Sequence, residues 1–106
     1  MQPAQFLLQL YQTFIIQGEQ NALDSVYEFI DQHLRINDFN TVNYLLYNIN
    51  IKQVNVNIAV GFLATTHGSI ECKPAREKLA DEIIQYYGTE LEPRSITYIN
   101  SLKNGS

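Results

Sequence analysis

The chain has 106 residues, of which 7 are basic and 11 acidic, giving a formal charge of −4, while ten Asn and nine Gln make it richer in side-chain amides than in charges. That length suits one domain able to bury a core without metal or disulfides, and 45% hydrophobic content is too high for a disordered tail. A single cysteine excludes an internal disulfide framework, and no CxxC or Cys/His array marks a structural zinc.

The first helix is predicted from Pro3 to Ile16, with Pro3 at a first helical position and Gly18 ending it. Gln2, Gln5, Gln9 and Gln12 form one stripe and apolar residues cover the rest. A face that wide is hard to bury against one neighbour, so this amphipathic segment, residues 1–18, is either central or an oligomerisation element. Phe6, Leu10 and Phe14 are the residues expected to meet a second copy. Residues 1–18 lack both a basic start and an uninterrupted apolar run, so neither a secretory signal nor a membrane span is expected. The expected compartment is the cytoplasm, that of the host if the chain is virus-encoded.

A second helix, Asn21 to Ile36, is expected to bury Leu23, Val26, Tyr27, Ile30 and Leu34. Asn37-Asp38 is a break: Asn tolerates the left-handed closing conformation and Asp caps the next helix. A third helix, Phe39 to Ile49, then buries Phe39, Val42, Leu45, Leu46 and Ile49, and the short break makes an antiparallel hairpin of the pair.

Residues 49–60 nearly alternate between apolar and polar, a strand signal, but a lone strand in a helical chain has no partner. A helix from Lys52 to Thr66 is the preferred reading, with a swapped or intermolecular strand as the alternative. Pro74 opens a fifth helix that Gly88 closes, and a short sixth begins at Pro93, presenting Ile96, Ile99 and Leu102. The tail, residues 103–106, should fray. The expected fold is all-α: a single domain, a compact bundle of five to six helices built from antiparallel hairpins.

Residues 22–88, with an Asn-Asp-Phe turn, loosely resemble the helical-hairpin repeats of solenoid proteins, although no 34- or 40-residue internal repeat is visible. The apolar spacing from Phe29-Ile30 through Leu34, Phe39, Val42, Leu45-Leu46 and Phe62-Leu63 resembles that of small helical-hairpin proteins of bacterial and phage genomes without assigned function. That resemblance implies a helical fold and carries no site across.

Charge narrows the function classes. Residues 1–51 hold five acids and one base, Arg35; residues 52–106 are neutral. Scattered lysines and arginines make no basic stripe, so direct nucleic-acid binding is not expected. The loop His67-Gly-Ser-Ile-Glu71-Cys72-Lys73 holds the reactive residue types. Cys72 just before a helix start could favour the thiolate, but no base-orienting group or oxyanion donors can be nominated, and a structural cysteine is the preferred reading. His67, Glu71 and Cys72 with His33 match no metal-site spacing, and His33 reads as a hydrogen-bonded histidine at the core margin. No glycine cluster makes a phosphate loop. The expectation is therefore a non-enzyme without cofactor or metal.

The better lead is the third helix. Asn40, Asn43, Tyr47 and Asn50 lie opposite its core stripe with Tyr44 beside them, and an uncharged Tyr/Asn strip is what a protein-binding face can look like. The same residues could instead be covered by another helix. The favoured function is an interaction module, a homo-oligomer that binds another protein through its acidic, Tyr/Asn-rich first half, with the second half as scaffold. The alternatives are a small phage or mobile-element inhibitor of a host defence protein, acting through Glu28 and Asp31, and a nucleotide-type small-molecule binder anchored by Arg76 and Arg94.

Overall fold

The computed structural model describes residues 1–105, and these form six α-helices: α1 (Pro3–Gln17), α2 (Glu19–Arg35), α3 (Phe39–Asn48), α4 (Val56–Thr66), α5 (Lys73–Tyr87) and α6 (Pro93–Asn104). No strand occurs among them, so the alternation over residues 49–60 is not a strand signature. The helices pack in two rows. α1 lies on α3 and α3 on α5; behind them α2 lies on α4 and α4 on α6. α1 pairs with α2 across the rows, and α5 with α6. The molecule measures 36 × 33 × 19 Å, and its thin dimension is about two helix diameters. This is a stack of antiparallel helical hairpins two layers deep, an all-α bundle of the expected kind.

Local chemistry sets the joints. Gly18, at φ 95°, closes α1 by donating its N–H to Thr13 O and Phe14 O, and α2 begins at the next residue. Asn37 adopts a left-handed φ of 58°, and Asp38 caps α3, accepting from Thr41 N at 3.2 Å and from Thr41 Oγ1 at 2.7 Å. Those two hydrogen bonds hold the Asp38 carboxyl below its ordinary pKa.

The segment expected to open a helix at Lys52 instead makes a 3-10 turn, Ile51–Gln53, and α4 begins at Val56. Two asparagines cause the delay. Asn50 Oδ1 accepts from Lys52 N, and Asn55 Oδ1 accepts from Ile58 N, so each starts its own turn. The connector is pinned by hydroxyls from two helices: Asn50 N donates to Tyr11 Oη at 2.9 Å, and Tyr87 Oη donates to Ile51 O at 2.7 Å. Ile49, Ile51 and Val54 turn inward on it, so the apolar alternation over residues 49–60 joins a buried connector to the first turn of α4.

The core runs through all six helices. α2 and α4 form its centre: Ala22, Val26 and Ile30 meet Ile58, Ala59, Phe62 and Leu63. Gly61 marks their closest approach, since a Cβ there would sit 2.8 Å from Leu23 Cδ2. Tyr27, expected in the core, is exposed, and Leu23 and Leu34 are only partly buried.

One buried side chain is charged. Arg76 on α5 is 1% exposed and has no carboxylate partner among the described residues. Its Nη1 donates to Thr66 O at 2.7 Å and Ser69 O at 2.8 Å, at the end of α4. Its Nε donates to Leu102 O at 3.1 Å and to Lys103 O at 3.4 Å, at the end of α6. Helix C-termini each carry about half a negative charge, so two of them offset one guanidinium. Desolvation lowers the Arg76 pKa, yet a guanidinium stays charged in proteins. At the tail, Lys103 is inside α6 and bonds Asp81, and Gly105 closes the helix at φ 60° against Arg76 and His67 O. Ser106 lies outside the described residues.

Candidate functional site

The row α1–α3–α5 builds a broad outer surface. From α3 it presents Asn40, Tyr44 and Tyr47, all exposed, because Val42, Leu45, Leu46 and Ile49 fill the opposite arc of that helix. The Tyr/Asn strip is thus open to solvent rather than buried under another helix. Asn43 differs from its neighbours. Its Nδ2 donates to Glu71 O at 3.2 Å, tying α3 to the turn before α5, and its buried Oδ1 meets no donor among the described residues.

α5 extends the strip in a way the sequence pattern did not reveal. Lys78 pairs with Glu82 one turn on, and its Nζ lies 5.9 Å from the Tyr47 ring centroid. Lys52 Nζ lies 5.7 Å from the ring of Tyr86, another exposed tyrosine. An open cleft of about 410 Å³ lies beside the second pair, lined by Ile49, Asn50, Ile51, Lys52, Glu82, Gln85 and Tyr86. A second cleft, of about 490 Å³, shares Lys52 and Tyr86 and continues past Val54 and Val56 to Tyr87 and Glu90. Burial raises the Tyr87 pKa, and its hydroxyl serves the connector rather than the cleft. The surface therefore combines three exposed tyrosines, two ammonium groups and an apolar floor, drawn from both halves of the chain. Aromatic spacing in α5 resembles core periodicity, and only the packing of α3 on α5 brings Tyr86 beside residues 49–52.

The residues expected to meet a second copy are placed differently. Phe6 is 5% and Leu10 1% exposed, and Phe14 is partly buried; Phe6 stacks on Phe29 of α2 at 4.1 Å between centroids. They belong to the core of their own chain, because α2 and α3 both pack on α1.

The reactive loop holds no assembled chemistry. Cys72 is fully buried, and desolvation pushes its thiol pKa up, opposing the thiolate expected at a helix start. His67 is exposed at the end of α4, and Glu71 accepts from Ser69 Oγ. His33 Nδ1 lies 2.8 Å from Phe29 O and its ring 4.3 Å from that of Phe29, as expected for a histidine at the core margin. No group of three or more His, Cys, Asp or Glu side chains among the described residues is placed to hold a metal ion. Arg76, a candidate anion anchor by sequence, is buried and bonded to carbonyls, and Arg94 pairs with Glu92.

Several acids of the first half have partners within the chain. Glu19 accepts from Asn55 and Asn57 at the start of α4, Asp31 pairs with Arg35, and Asp24 accepts from Gln20. No described helix is long and apolar enough to cross a membrane. No protein-family model matches the chain, and comparison with curated proteins and with solved structures returns no significant match.

Proposed function

We propose that the chain is a non-enzymatic helical module that binds another protein across the α3–α5 face. The observation that carries this reading is the exposure of Tyr44, Tyr47 and Tyr86 on one face, with Lys52 and Lys78 beside two of the rings and an open cleft lined by Lys52 and Tyr86. Tyrosine offers large contact area at low entropy cost, and rigid aromatic anchors beside a recess are the usual centres of binding energy. Stacked helical hairpins commonly use one row of helices as an extended binding surface. Ammonium groups at the cleft suit a partner that brings a carboxylate to Lys52 alongside apolar side chains.

The test is affinity capture from the native host with the unmodified chain and a Tyr44→Ala/Tyr47→Ala variant of unchanged helical content. The variant should lose the captured partner. Capture of the same proteins at the same yield would refute the assignment. A second reading, the inhibitor acting through its acids, draws on the exposed side of α2, where Asp24, Glu28 and Asp31 lie four and three residues apart. It predicts that charge reversal at Glu28 and Asp31 slows association and that added salt weakens it. Salt-independent binding would dispose of it.

A further inference from the structure

We propose that Asn104 is a site of spontaneous covalent modification, converting to aspartate and isoaspartate, and that the conversion loosens the end of α6 beside Arg76. The chemistry needs an asparagine whose side-chain carbonyl can be reached by the backbone nitrogen of the next residue. Asn104 is exposed at the last position of α6, and Gly105 follows it. Glycine has no side chain to shield its nitrogen and the widest backbone freedom to bring it round. Asn48, Asn50, Asn55 and Asn57 each precede Ile or Val, whose branched side chains crowd the attacking nitrogen. Asn37 precedes Asp38, whose nitrogen is tied to His33 O at 2.8 Å. Gly105 N donates to Ser101 O at 3.4 Å, longer than an ordinary N–H···O bond, and it lies where a helix end frays.

The fold itself requires the glycine that creates this site. At φ 60°, Gly105 sits so close to its neighbours that a Cβ would lie 2.3 Å from Arg76 Nη2 and 2.5 Å from His67 O. A bulkier residue, which would slow the reaction, is therefore excluded by packing. In the first step Gly105 N forms a bond to Asn104 Cγ. The Cγ–Nδ2 bond breaks, and Nδ2 leaves as ammonia with the proton that Gly105 N gives up. Water then opens the cyclic imide. Opening at Cγ gives aspartate with the backbone as before, and opening at the backbone carbonyl gives isoaspartate, whose main chain runs through Cβ and Cγ. Both products place a carboxylate at a helix C-terminus, where negative charge is unfavourable. Isoaspartate also lengthens the main chain by one carbon where Gly105 closes against Arg76, so the close approach cannot be kept. The modification thus acts on Leu102 O and Lys103 O, the α6 carbonyls that Arg76 holds.

The experiment is storage of the full chain in mildly alkaline buffer at body temperature, followed by proteolytic mapping. The fragment holding Asn104 should gain one mass unit and accept enzymatic isoaspartate labelling at that residue. Isoelectric focusing should show a new band with one added negative charge. Asn104→Gln, whose longer side chain would have to close a larger ring, should lose the gain. In the isoaspartate fraction, separated by chromatography, amides of the last turn of α6 should exchange with solvent at least about threefold faster than in the parent. Asn104→Asp, which brings the charge without the longer main chain, should stay nearer the parent. No mass gain at Asn104, or a gain of equal size in Asn104→Gln, would overturn the site. Exchange in the isoaspartate fraction as slow as in the parent, or no faster than in Asn104→Asp, would overturn the loosening by the lengthened main chain.

Discussion

Replacing Arg76 by Met removes a buried guanidinium while keeping most of its volume. The side chain joins the ends of α4 and α6 through Thr66 O, Ser69 O, Leu102 O and Lys103 O. Two of those contacts, to Thr66 O and Leu102 O, are buried; Thr66 O keeps a second donor, Ser69 N at 3.0 Å, and loses about 0.5–1.5 kcal/mol, whereas Leu102 O is left unsatisfied at a cost of about 1–3 kcal/mol. The lost favourable alignment with two helix C-termini adds about 0.5–1 kcal/mol each, and the relieved desolvation of the cation subtracts a comparable amount. Arg76→Met should therefore destabilise by about 2–4 kcal/mol, lowering the thermal midpoint by roughly 8–18 °C in a domain of this size. Arg76→Lys keeps the charge but offers one compact ammonium, which cannot span both helix ends, and should recover less than half of the loss. Urea unfolding followed by circular dichroism measures both, with Arg94→Ala, on the surface, as the control expected within about 0.5 kcal/mol of the parent. A loss below about 1 kcal/mol for Arg76→Met would show that the two helix ends find other donors, and the reasoning would fail.

Three further outcomes are expected from the packing. Tyr87→Phe removes the hydroxyl that holds Ile51 O and should cost about 1 kcal/mol in urea unfolding, with the helical content unchanged. Gly61→Ala should be nearly neutral, because the helix-propensity gain of about 1 kcal/mol offsets a shift of the Leu23 tip, while Gly61→Leu should cost about 1–3 kcal/mol by wedging α2 from α4. The folded-state pKa of Asp38 lies below its ordinary 3.8, so its stabilising contribution is complete above that value and is lost as the pH falls through the lower folded one. Acid unfolding of Asp38→Asn should accordingly be less steep than that of the parent in this range. Equal steepness would place the acid sensitivity elsewhere.

Much of the helical order was legible because punctuation is local. Pro3 and Pro93 sit at the first positions of α1 and α6, Gly18 and Asn37 take positive φ, and Asp38 caps α3, each for reasons contained in a few neighbouring residues. Within residues 49–60 the helix was legible but its start was not, because the apolar side chains before α4 answer to a three-dimensional need. Ile51 and Val54 are buried on a connector held by Tyr11 and Tyr87, which lie about 40 residues away in either direction. The same limit applies to the candidate surface. Tyr44 and Tyr47 could be read from the helical period of α3, but Tyr86 and Lys52 join them only through the packing of α5.

By itself, the sequence determined that this chain is helical and roughly where each helix starts and stops, since capping, φ preference and helical period act over one to two turns. It also determined that α1 carries no charge and that the net charge resides in residues 1–51. Tertiary structure alone decided which part of each apolar face is spent on the chain's own core. Phe6 and Leu10 went inside and Leu8 and Ile15 stayed out, because α2 and α3 approach α1 from one side. It likewise made Arg76 an internal clamp rather than a surface cation, because the ends of α4 and α6 converge on it with carbonyls that need a donor.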